Sequence, residues 1–150
     1  MDVTGTYTFA APPQRVWDLM MDPAAIASCI PGCERLDPDG VDRYQAAITI
    51  GMAAITGRYE GTVSIAEKID GQSYRLLAEG QGRPGFVKGD VRITLRADVT
   101  ESGDANTIVD VAGTVQVGGT IARLGQRLIG SAARMMQDRF FDCMRSKIDT

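Results

Sequence analysis

No histidine occurs among the 150 residues of this sequence. Its absence removes the commonest general base, the Ser-His-Asp arrangement and most catalytic metal triads. Glu60, Glu79 and Asp110 fall in strand-like stretches as isolated carboxylates, a placement that usually faces solvent, so no enzymatic activity is expected. The cysteines add little. Cys29 and Cys33 are spaced Cys-Ile-Pro-Gly-Cys, too wide for a thioredoxin-type pair, and a tetrahedral zinc site needs more ligands than a histidine-free chain gathers. They read as small buried thiols around a Pro31-Gly32 turn, and no metal or cofactor is expected. Gly118-Gly119 lacks both the lysine of a phosphate loop and the spacing of a dinucleotide fingerprint, so the pair marks a sharp turn from strand to helix.

Binding chemistry is better represented. Residues 51–57, Gly-Met-Ala-Ala-Ile-Thr-Gly, join two strands with an apolar segment where a loop in water would be polar. Residues 81–89 set Phe86 among glycines and beside Arg83 and Lys88. Two readings stand for Met52, Ile55 and Phe86. They close the end of the core, or they form a gate and latch over a cavity mouth, with Arg83 and Lys88 holding a carbonyl or anionic head group. In the final helix pattern, Gly125 and Gly130 each cost roughly 1 kcal/mol relative to alanine, which asks for close strand approach or for ligand space. A ligand against that helix would be flanked by Trp17, Tyr59, Phe86, Gly125, Leu128 and Ala132, apolar walls with few polar anchors.

Short elements must position these groups. Alternation over residues 3–9 puts Tyr7 and Phe9 on one face of a first strand. Pro12-Pro13 open a helix through Val16, Trp17, Leu19 and Met20, and Asp22-Pro23 start a second over about 23–28. Further strands are predicted at about 34–37, 43–50, 57–69, 73–82, 87–99 and 107–117. Turns such as Asp39-Gly40, Asp70-Gly71 and Ser102-Gly103 favour consecutive antiparallel pairing. From Thr120 to Ile148, the residues Ile121, Leu124, Leu128, Ala132, Met135, Met136, Phe140, Met144 and Ile148 recur at helical period. Arg123, Arg127, Arg134, Asp138 and Arg145 share the opposite face. The expected class is α+β: about seven antiparallel strands curved around a long C-terminal helix, with two short helices after the first strand.

The length suits one domain over residues 1–150. A net charge of −3 makes nucleic acid an unexpected partner, yet residues 120–150 hold six basic and three acidic side chains. Such a helix face is either solvated or meets an acidic protein surface or anionic lipid. The N-terminal residues lack the basic and apolar regions of a signal peptide, and no stretch approaches the roughly 20 apolar residues of a spanning helix. A cytoplasmic location is expected, with peripheral contact at the inner membrane face as the other possibility.

Five segments together carry a more specific signal: GTYTFAAPPQRVWDLMMDP, CIPGC, GRYEGTV, GQGRPGFVKGDVRITL and VGGTIARLGQRLIGSAARMMQDRFF. Spread from Gly5 to Phe141, they resemble the successive blocks of the carbon monoxide dehydrogenase G-subunit family, within the START-like, SRPBCC helix-grip superfamily. The resemblance implies the curved sheet and helix reached above, with a lipid or quinone between them. It also implies an accessory role beside a molybdenum hydroxylase such as carbon monoxide dehydrogenase, in membrane recruitment or in electron transfer to quinone. Two alternatives remain. START-like relatives include cyclases, and such an activity would need Glu60 or Glu79 pointing inward beside Tyr44, Tyr59 or Tyr74. A pure docking module would instead use Arg123, Arg127, Arg134 and Arg145 against an acidic partner surface.

Overall fold

The computed structural model describes residues 1–51 and 55–148. Seven strands, β1 (Asp2–Phe9), β2 (Cys33–Pro38), β3 (Arg43–Ile50), β4 (Gly57–Ile69), β5 (Ser73–Gly82), β6 (Gly85–Val99) and β7 (Ala105–Gly118), form one antiparallel sheet. Their order is β1-β7-β6-β5-β4-β3-β2, so consecutive strands pair from β2 to β7, and β1 closes onto β7. Helices α1 (Pro13–Met20) and α2 (Pro23–Cys29) follow β1, and α3 (Gln126–Ile148) comes last. The expected helix-grip, START-like architecture is the one observed.

Local chemistry explains the elements. Pro13 and Pro23 occupy first helical turns, where a missing N–H costs nothing, and the Asp22 carboxylate accepts the Ala24 N–H at 3.1 Å to cap α2. In the strands, Tyr7 and Phe9 of β1, Ile93 and Leu95 of β6 and Val109 and Val111 of β7 turn inward with period two.

The final helix is shorter than its apolar pattern. Residues Thr120–Leu124 form a 3-10 turn, and Gly125 breaks the chain direction at φ 84° before α3 begins. Its carbonyl accepts the Ile129 N–H at 3.2 Å, which makes Gly125 the N-cap of α3 and not an interior residue. β6 begins two residues before the strand expected over 87–99: Gly85 pairs with Gly82 and Phe86 pairs on both sides, so only Arg83-Pro84 turn the chain. Tight backbone approach explains Gly85, whereas the Cβ position of Gly89 is open. A Cβ on Gly85 would stand 2.0 Å from the Gly118 carbonyl oxygen.

The core fills one half of the concave face. Phe9, Val16, Met20, Thr107, Val109 and Met144 are fully buried there. Phe141 of α3 stacks on Tyr7 at 4.2 Å and meets Phe9 edge-on at 6.5 Å. Cys29 and Cys143 are joined by a disulfide, with Cα atoms 5.3 Å apart, linking α2 to the far end of α3 across 114 residues of sequence. Cys29 is therefore not the buried thiol expected beside Cys33, which remains free and whose thiol burial pushes up. The spacing of Cys29 and Cys33 concealed a partner brought close only when α3 folds back onto α2.

Candidate ligand site

Beyond the aromatic core, the concave face carries small and branched aliphatic residues, and α3 does not fill the space above them. An apolar cavity of about 280 Å³ lies between the sheet and α3. Its floor is Ile50 of β3, Tyr59 of β4, Val87 of β6 and Val115 and Val117 of β7. Its roof is Ile129, Ala132, Ala133 and Met136 of α3, with Ile55 and Ile121 at the end. An adjoining, mainly apolar space of about 180 Å³ shares Ile50, Tyr59 and Val87 and extends over Ala46, Ile48, Val63 and Ala78, with Glu60, Thr62 and Glu79 at its border. Together these reach the range of small-molecule sites, and the lining is almost wholly apolar.

Tyr59 supplies the polar tip within this lining. Its hydroxyl donates to the Ile55 carbonyl at 2.9 Å, and burial pushes its phenol above the ordinary value. The opposite, closed end of α3 is held against β1 by a polar clasp. Tyr7 donates to Asp138 at 2.6 Å, while Gln137 donates to the Tyr7 oxygen at 2.9 Å and to the Thr4 carbonyl at 3.0 Å.

Of the residues expected to contact a ligand, Ile55, Tyr59 and Ala132 line the cavity. Met52 lies outside the described residues. Trp17 is buried in the closed-end core, edge-on to Tyr74 at 5.6 Å, and does not reach the cavity. Phe86 and Lys88 are on the convex face, because strand alternation gives the inward position to Val87 between them. Phe86 is 46% exposed and lies over Gly118, and Lys88 pairs with Glu79 at 3.4 Å. Arg83 sits in the exposed β5–β6 turn. Gly125 starts α3 and lies outside the lining of this cavity, bordering instead a neighbouring pocket of about 350 Å³ that shares Val115, Val117 and Ile129 with it.

Leu128 is 58% exposed and Met135 43%, on the flank of α3 opposite Gly130 and Gln137, the residues that meet Met1 and β1. The inward stripe runs through Ile129, Ala132, Ala133 and Met136 instead. Among the cavity residues missed from the sequence, Val87, Val115 and Val117 were signalled by the parity of Val91, Ile93 and Leu95 on β6 and of Val109 and Val111 on β7, whereas Ile50, Ile129 and Ala133 were also missed.

The alternative catalytic constellation is not assembled. Tyr59 and Tyr74 face inward, whereas Glu60 pairs with Arg58 and Glu79 with Lys88 on the convex face. Asp110 accepts from Thr6 and from Arg96, whose guanidinium holds its carboxyl below the usual range. The four arginines do not share one face either. Arg123 is in the 3-10 turn, while Arg127, Arg134 and Arg145 follow the outer face of α3. Arg134 pairs with Asp138 at 3.5 Å and Arg145 with Asp142 at 3.7 Å. No group of metal-ligating side chains occurs among the described residues. No described helix is long and apolar enough to cross a membrane.

Comparison with known proteins places this architecture. A conserved protein from Geobacillus kaustophilus matches with a TM-score of 0.93 at 30% identity, covering 99% of this chain and 95% of that one. A START superfamily protein from Mycobacterium smegmatis matches with a TM-score of 0.71 at 14% identity, covering 99% and 97%. The aromatase/cyclase Zhui from Streptomyces sp. R1128 shares the fold with a TM-score of 0.64 at 11% identity, covering 99% and 93%. No protein among those with curated descriptions matches the sequence. The family model for CoxG, the G subunit of carbon monoxide dehydrogenase, matches residues 5–149, and the chain belongs to that family, within the START-like, ligand-binding superfamily.

Proposed function

We propose that the protein binds a hydrophobic small molecule, a lipid or a quinone, between sheet and α3, and serves as a non-catalytic accessory of a molybdenum hydroxylase such as carbon monoxide dehydrogenase. The observation that carries the binding reading is the apolar cavity over Val87, Val117 and Ala132. Holding such a space open forgoes packing that side chains could have supplied, a loss that a bound apolar ligand repairs. The accessory role is supported by family membership. A quinone ring suits the apolar lining, and the Tyr59 hydroxyl, now bound to Ile55, stands ready to donate to a ring carbonyl. A tail longer than the cavity would run out beside Leu128 and Met135, where α3 leaves apolar surface uncovered. The protein would work in the cytoplasm and meet the inner membrane face to exchange its ligand.

The described lining of the 280 Å³ cavity holds no carboxylate, and Glu60 and Glu79, which border the adjoining space, are paired with Arg58 and Lys88, an arrangement that favours binding over turnover. Native mass spectrometry with decylubiquinone, and with palmitate as the lipid arm, tests the reading. A one-to-one complex with either, lost in Ala132→Phe while the melting temperature is kept, is expected. Equal binding by Ala132→Phe, or no binding of either probe, overturns it. The accessory role is tested separately, by co-purification with the molybdenum hydroxylase from the native host.

A further inference from the structure

We propose that the groove between the free edge of β1 and α3 docks an extended acidic segment of a partner protein, which joins the sheet as an additional strand. β1 is an edge of the sheet. Met1 exchanges both backbone hydrogen bonds with Val115, at 3.1 and 2.8 Å, which fixes the parity of the pairing. Val3, Gly5, Tyr7 and Phe9 therefore bond inward to β7, and the N–H and C=O groups of Asp2, Thr4, Thr6 and Thr8 point away from the sheet. Of these, the Thr4 carbonyl is taken by Gln137. Residues 2–9 contain neither proline nor lysine, the usual means of blunting an edge.

Beside this edge runs an open groove of about 590 Å³, walled by Met1–Thr4 on one side and α3 on the other. Gly130 and Ser131 keep the helical wall low at its middle. Arg127 and Arg134 stand at either end of that wall, two helical turns or about 10.5 Å apart. Arg134 shares Asp138 with Tyr7. Asp2 is the carboxylate in the lining, and with Arg134 already paired to Asp138, Arg127 is the guanidinium left without an ion-pair partner among the described residues.

Backbone groups in a row suit an extended peptide, and two arginines beside them suit acidic side chains on it, through paired N–H···O contacts. A membrane would need apolar surface here, and the exposed Leu128 and Met135 are on the other flank of α3. This docking is independent of whether the cavity holds a ligand.

The test is selection of displayed random dodecapeptides on the full chain, followed by titration of the selected peptides against the wild-type protein and Arg127→Glu/Arg134→Glu. We expect enrichment in Asp and Glu, at least tenfold weaker binding to the double variant, and loss of binding when the peptide is N-methylated at alternate residues. N-methylation leaves the protein untouched and so separates docking from any folding defect. Failure to select acidic peptides, equal binding by the double variant, or equal binding of the N-methylated peptide overturns the proposal. So does charge-dependent binding to phosphatidylglycerol vesicles by a protein that binds no peptide.

Discussion

The two ends of the concave sheet are made by the same strands and roofed by the same helix, yet one is solid and the other hollow. At the closed end, Phe9, Val16, Met20, Phe141 and Met144 interdigitate, and the Cys29–Cys143 bond and the Tyr7–Asp138 clasp secure α3. At the open end, Val87, Val115, Val117, Ala132 and Ala133 stand where aromatic side chains would have met, and about 280 Å³ remains. Side-chain size, not backbone geometry, thus divides the molecule into a part that stabilises it and a part available to bind. Core packing is close to crystalline in density, so volume withheld from one end is not recovered by relaxation elsewhere.

The sharpest way to break this contrast is Phe141→Ala. It removes a ring that touches both Tyr7 and Phe9 and is expected to cost about 3–5 kcal/mol, measured by denaturant unfolding. Cys143→Ser comes next. Opening a cross-link between α2 and α3 is expected to cost about 2–4 kcal/mol, with the same loss on adding a reductant to the wild-type protein.

A pH series sharpens the same comparison. Burial pushes the Tyr74 phenol far above its ordinary value. A raised folded-state value means that the neutral phenol contributes fully below pH ~10, and that this contribution is lost as pH rises past the unfolded value toward the folded one. The melting temperature should fall between roughly pH 9.5 and 11.5, around the ordinary phenol range, and Tyr74→Phe should flatten that fall.

At the open end the effects are smaller. Ala132→Leu, which adds bulk to a cavity wall, should leave stability within about 1 kcal/mol of wild type while reducing binding of apolar probes. Smallest is Phe86→Ala. On the convex face it should change stability by about 0.5 kcal/mol and ligand binding not at all, and a clear loss of binding would place that ring at the site after all.

Much of this contrast is legible in the order of the amino acids. Alternation places Tyr7, Phe9, Ile93 and Leu95 inside, and paired turns order the sheet, because strand parity and turn chemistry are local. The same parity, carried back along β6 from Val91, puts Val87 inside and Phe86 and Lys88 outside, although the glycines around them read as a loop. Helical period alone assigns Leu128 to the buried face. An amphipathic pattern defines a stripe, but the rotation of the helix about its axis depends on what it packs against. The clasp to β1 and the start at Gly125 turn Ile129, Ala132 and Met136 inward and leave Leu128 exposed.

The amino-acid sequence by itself therefore determined the elements, their antiparallel order and the family, all encoded in neighbouring residues. Tertiary structure alone decided that Cys29 meets Cys143, that Trp17 belongs to the closed end, and that the space lies over Val87 and Val117. These depend on residues far apart in the chain, whose distances are set only when α3 is laid across the sheet.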